Sequence, residues 1–177
     1  MKSIKDETNL VNKKILLRLD LNVPIVSNKI TDTTRIDKIL PTLEFLINQN
    51  TRIIIISHVG RPKGKIINDL SLNLICKELS KKLNQNVKLF SKNIKEIDSK
   101  KLFNNNDERV IMLENIRFYP EEEENNEKFA KHLSTLADIY VNDAFFFFFR
   151  AHAAINKITN YLRSFSGFQF DLFVNTL

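Results

Sequence analysis

Cysteine is almost missing from this chain of 177 residues: Cys76 stands alone. No disulfide framework can form, and a reducing compartment is the natural setting. Glycine is scarce too, with only Gly60, Gly64 and Gly167, so neither a G-x-G-x-x-G fingerprint nor a G-x-x-x-x-G-K-[ST] phosphate loop can be written anywhere in it. No apolar run reaches the ~18 residues that cross a bilayer, and the opening "MKSIKDETNL" carries acids where a secretory leader carries an apolar stretch. A cytoplasmic protein without a membrane partner is expected.

A hydrophobic content of 43% in a chain this long supports one substantial core. The net charge of +6 comes mostly from lysines spread along the chain, which favours small anions over nucleic acid as partners. Cys76 lies in the amphipathic "LSLNLICKELSKKL" and reads as a buried structural thiol. Short apolar runs, "KILLRLDLNV", "RIIIISHV", "NVKLF", "RVIMLEN" and "ADIYVNDA", read as strands. Between them, "DTTRIDKILPTLEFLINQ" puts Ile36, Ile39, Leu40, Leu43, Leu46 and Ile47 on one helical face; "SLNLICKELSKKLN" and "NEKFAKHLSTLA" behave likewise. The strands lack polar alternation and alternate with helices. That pattern predicts an α/β fold, a three-layer domain with a central parallel sheet flanked by helices.

Ligands of such sheets sit beyond the carboxyl ends of the strands. Those positions hold Asp20, Leu21 and Asn22 after the first strand, and His58, Val59, Gly60 and Arg61 after the second. Arg117 follows the fourth and Arg150 the fifth, while Arg35 opens the first crossover helix. Arginine forks pair bidentately with phosphate or carboxylate, so the cluster describes a site for a small polyanion. Metal ligands are not expected: His132 and His152 look isolated, and "EEEE" at 121–124 reads as a solvated helix start.

The segments "LLRLDLNVP", "TDTTRI", "LPTLEFL", "IIISHVGRPKG", "LSLNLICKELSKKL", "MLENIRFYPEEE" and "FAKHLSTLADIYVNDAF" together resemble the N-terminal half of phosphoglycerate kinase. The resemblance implies a Rossmann-like substrate domain at 1–165, followed at 166–177 by the start of an interdomain segment. It implies reversible phosphoryl transfer between 1,3-bisphosphoglycerate and ADP, giving 3-phosphoglycerate and ATP. Substrate contacts would fall on Asp20, Leu21, Asn22, Arg35, His58, Val59, Gly60, Arg61, Arg117 and Arg150, with Arg35 also stabilising the charge in transfer. ATP or ADP with Mg²⁺ would bind the family's C-terminal nucleotide domain, so no cofactor or metal is expected on this chain, which would be a monomer inactive by itself. The alternative is a non-catalytic anion-binding module or a truncated, decaying gene product.

One stretch departs from the family's pattern. Where "DAFGTAHRAH" is usual, the chain reads "DAFFFFFRAH", with Phe146, Phe147, Phe148 and Phe149 in place of "GTAH". Four benzyl groups offer neither donors nor clearance for a ligand; they would pack under the domain, cover the anion site, or form an exposed apolar patch. The tail also departs, with Arg163 where proline is common.

Overall fold

The computed structural model describes residues 1–144 and 150–177; the expectations about the phenylalanine run at 145–149 lie outside them. Among the described residues, seven strands form one sheet in the order β1-β9-β8-β2-β5-β7-β6, with every neighbouring pair parallel. The strands are β1 (Lys2–Ser3), β2 (Lys14–Arg18), β5 (Arg52–Ile56), β6 (Val87–Phe90), β7 (Val110–Leu113), β8 (Ile139–Asn142) and β9 (Arg163–Ser166). A small antiparallel hairpin, β3 (Ile25–Val26) and β4 (Lys29–Ile30), stands apart from the sheet. The helices are α1 (Thr34–Asn48), α2 (Asn73–Leu83), α3 (Pro120–Glu123), α4 (Glu127–Ser134) and α5 (Phe168–Thr176).

Alternation along the strands builds the three layers. Ile15 and Leu17 of β2 face a cluster that takes in Ile36, Leu43 and Leu46 of α1 and Ile75 and Leu79 of α2. Leu16 faces the opposite way, toward Phe129, Ala130 and Leu133 of α4 and the later Ala153, Ala154 and Ile158. Both faces of the sheet are therefore dry, as the unbroken apolar strands require. Leu43→Ala would remove a fully enclosed side chain, at a cost of roughly 2–5 kcal/mol.

Helix ends are satisfied by distant as well as local groups. Asn126 accepts from the backbone N–H of Phe129 at 2.9 Å and starts α4. The carboxylate of Glu114, just past β7, accepts from Ser71 Oγ at 2.7 Å and Leu72 N–H at 2.8 Å, so the sheet itself caps α2. Asparagine does the work of the scarce glycine: Asn12, Asn28, Asn50, Asn84 and Asn125 all adopt positive φ, which asparagine tolerates better than most residues.

The five strands and three helices expected from sequence are present, and the parallel α/β architecture with them. The β3–β4 hairpin was not expected, nor were two strands of the main sheet. β1 and β9 are short and pair with each other, and β9 falls in the tail that reads as a departure. Phe168 of α5 packs its ring 5.2 Å from that of Phe45 on α1. The reading of "EEEE" as a solvated start to the following helix is corrected. Glu121 to Glu123 lie in α3, a separate turn, and Glu122 is 0% exposed, held by partners on β2 and beyond β8.

Candidate anion site

β2 stops at Arg18, and the following loop turns Asp20 and Asn22 out at the carboxyl edge while Leu19 and Leu21 anchor it in the core. Ser57, just past β5, stitches this loop to its neighbour: its Oγ donates to Leu19 O at 2.7 Å and accepts from Leu21 N–H at 3.2 Å. Asn22 Oδ1 accepts from Gly60 N–H at 3.0 Å. Gly60 has φ +64°, and an added Cβ would meet Leu70 Cδ2 at 2.7 Å, so the turn needs glycine. Asn115 ties in the third loop, donating from Nδ2 to Val59 O and Leu70 O, both at 2.9 Å, and accepting from Arg117 N–H at 3.1 Å. The loops after β2, β5 and β7 are thus tied together by side-chain hydrogen bonds from Ser57, Asn22 and Asn115.

Asn22, His58, Gly60, Arg61, Arg117 and Arg150 line one cavity of about 450 Å³, together with Lys63, Glu123 and His152. Four cations face one carboxylate, and Glu123 Oε1 reaches Arg117 Nε at only 3.7 Å. Asp20 and Arg35 sit elsewhere. They line a separate cavity of about 510 Å³ beside α1 and α5, where Arg35 Nη1 donates to both oxygens of Asp20, at 2.9 and 3.1 Å. Leu21 and Val59 line neither cavity; their side chains belong to the core.

Burial and neighbouring charge set the protonation states. His58 is enclosed, and burial, followed by the guanidiniums of Arg18 and Arg117, pushes its pKa down to about 2. His152 is pushed down to about 4, first by burial and then by Arg117 and Arg18. Both imidazoles are neutral at pH 7. Burial also lowers Arg117 from its ordinary value, with Arg18 adding to the effect and Glu123 opposing it. Asp143 goes the other way, raised to about 6 by burial against the hydrogen bond from Thr42. Its Oδ1 accepts from Gln169 N–H at 2.8 Å and Phe170 N–H at 3.2 Å, so it caps α5 on the wall of the Arg35 cavity and does not line the one around Arg117.

Sequence reasoning missed Lys63, Glu123 and His152 on the wall, and Arg18 and Glu122 behind it. The view of His152 as isolated is corrected: the chain after β8 folds back and brings it to the same cavity as His58. Arg18 carried a legible signal, a charge inside the apolar run "KILLRL". Glu122 had none.

Comparison with known proteins agrees with this architecture. Phosphoglycerate kinase of Wolbachia pipientis from Culex pipiens is 48% identical over 157 residues, covering 89% of this chain and 39% of that protein. That of Borreliella afzelii is 43% identical over 168 residues, covering 95% and 43%. The structure of phosphoglycerate kinase from Coxiella burnetii matches with a TM-score of 0.87 at 37% identity over 98% of this chain and 43% of that one. The chain therefore spans about two fifths of the length of these relatives. The family model for phosphoglycerate kinase runs from residue 4 to residue 177, and with the sheet, its loops and its relatives in agreement, the chain belongs to that family.

Proposed function

We propose that this chain is the phosphoglycerate-binding part of a glycolytic phosphoglycerate kinase, with residues 1–165 as substrate domain and 166–177 opening the segment between domains. The observation that carries the reading is the charge imbalance of the cavity at the sheet's carboxyl edge, four cations against one carboxylate. A phosphate monoester that also carries a carboxylate meets that excess, and Arg61, Arg117 and Arg150 supply the planar forks for it. Asn22 holds the loop geometry through Gly60 and offers an amide to the substrate's hydroxyl. Neutral His58 contributes a donor without adding charge.

Phosphoryl transfer proceeds through a loose transition state, so the protein's contribution is positioning and charge stabilisation. In this reading Arg35 faces the transferred phosphoryl group from the neighbouring cavity, oriented by Asp20. Leu21 and Val59 act through the backbone of the loops they anchor. ADP or ATP with Mg²⁺ supplies the other substrate, held by the part of the family's length that this chain does not span. The 177 residues by themselves bind phosphoglycerate and do not turn over.

Calorimetric titration with 3-phosphoglycerate tests the site, and a coupled assay with ATP tests turnover. Saturable binding with no turnover is expected. Absence of any binding sinks the site assignment, and turnover by the isolated chain sinks the division of labour.

A further inference from the structure

Two charged side chains that this reading leaves without a task lie enclosed behind the cavity. Arg18 ends β2 on the same face as Leu16, because alternate strand residues share a face. Glu122 stands in α3, and both side chains are 0% exposed, with Arg18 Nη1 3.6 Å from Glu122 Oε1. Desolvation offsets most of the attraction in such a pair, so stability is a weak account of its presence.

The remaining contacts of the pair lead to the cavity. Arg18 Nη2 lies 3.1 Å from His58 Nδ1. A guanidinium only donates, so Nδ1 must accept, and the imidazole is neutral with its proton on Nε2. The low pKa of His58, caused first by burial and then by Arg18, agrees with that state. Glu122 Oε2 accepts from Ala154 N–H at 2.9 Å, and its backbone carbonyl accepts from Ala153 N–H at 2.9 Å. Those two residues directly follow His152, and Arg150 lies three positions before Ala153; both His152 and Arg150 line the cavity. One glutamate thus fastens both the guanidinium that addresses His58 and the backbone that carries two wall residues.

We infer that Arg18 and Glu122 form a positioning pair: Arg18 holds His58 as the Nε2–H tautomer, a neutral donor for an anion, and Glu122 locks Arg18 and the Arg150–His152 segment together. The link to anion affinity rests on the function proposed above, whereas the tautomer is a property of the unliganded chain. The two can be tested apart.

The 177-residue chain with ¹⁵N-labelled histidine reports the tautomer through long-range ¹H–¹⁵N correlation at pH 7. His58 is expected to carry its proton on Nε2 alone; an Nδ1–H tautomer or an imidazolium overturns the inference. Glu122→Gln keeps the shape and an acceptor for Ala154 but removes the charge. It is expected to give a mixed His58 tautomer and to weaken 3-phosphoglycerate binding about tenfold, the loss of the charge-assisted hydrogen bond from His58 to the anion. Arg18→Met combined with Glu122→Met leaves no lone buried charge and abolishes the Nε2–H preference. If that double variant does not fold, Glu122→Gln decides. A wild-type tautomer retained in every folded variant overturns the pairing, and an unchanged affinity in Glu122→Gln overturns its role at the site. Failure of the wild-type chain to bind 3-phosphoglycerate, with the tautomer as expected, overturns the proposed function and leaves the pairing standing.

Discussion

The two cavities at the sheet's carboxyl edge share the loop after β2 yet differ in how their charges are balanced. Beside α1 and α5, Arg35 is already neutralised by Asp20, with its side chain 45% exposed. In the cavity around Arg117, cations outnumber carboxylates, and the side chains behind them are dry. A paired, solvated arginine contributes little binding energy and can reorient; an excess of cations gathered around the buried Arg117 favours a counter-anion. Adjacent loop residues, Asp20 and Asn22, therefore serve different ends.

The largest effect expected is on the cation-rich side. Arg117→Met should weaken 3-phosphoglycerate binding about 100-fold by calorimetry, as expected for removing a charged partner from a desolvated pair. An affinity within threefold of the wild type would erase the contrast between the cavities.

Next comes Gly167→Ala, which acts where the other cavity is built. An added Cβ would sit 2.4 Å from the carboxylate of Asp143, the group that caps α5. Destabilisation of roughly 1–3 kcal/mol is expected in urea unfolding, with α5 loosened from α1.

Acidification should then separate the two regions by sign. As pH falls through 6.5, the unfolded chain protonates His58 and His152, whereas the folded chain, with their pKa values at about 2 and about 4, does not. Stability is lost on that account. Asp143, raised to about 6, and Glu122, also raised by burial, take up protons in the folded state first and offset part of the loss. A net loss on the order of 1 kcal/mol between pH 7 and pH 5 follows. Denaturant titrations at the two pH values check it, and a gain at pH 5 would contradict the neutral histidines.

The smallest effect is reserved for Arg35→Met. Because Arg35 is paired with Asp20 outside the cation-rich cavity, 3-phosphoglycerate affinity should change by less than about threefold. A loss matching that of Arg117→Met would merge the two cavities into one binding site.

The strands and helices were legible because burial on both faces leaves an unbroken apolar run, and a helix core face leaves a 3.6-residue stripe. Ile53 to Ile56 and the Ile36, Ile39, Leu43, Leu46 series carry those signatures without help from distant residues. β1 and β9 carry none: Lys2–Ser3 and Arg163–Ser166 become strands through pairing with each other and with β8. Likewise, Asn22, His58, Arg61, Arg117 and Arg150 could be named from strand ends, because a parallel sheet sends every such end to one edge.

By itself, then, the sequence determined the layers, the parallel sheet and the edge where the cationic side chains gather, since each follows from local periodicity and chain direction. Only the tertiary structure decided that Arg35 with Asp20 stands apart from the other cations, and that Glu122, within a run of four glutamates, is the one enclosed against Arg18. Those outcomes depend on which distant groups share a dry space. Desolvation and pairing at a few ångströms leave no trace in the order of the residues.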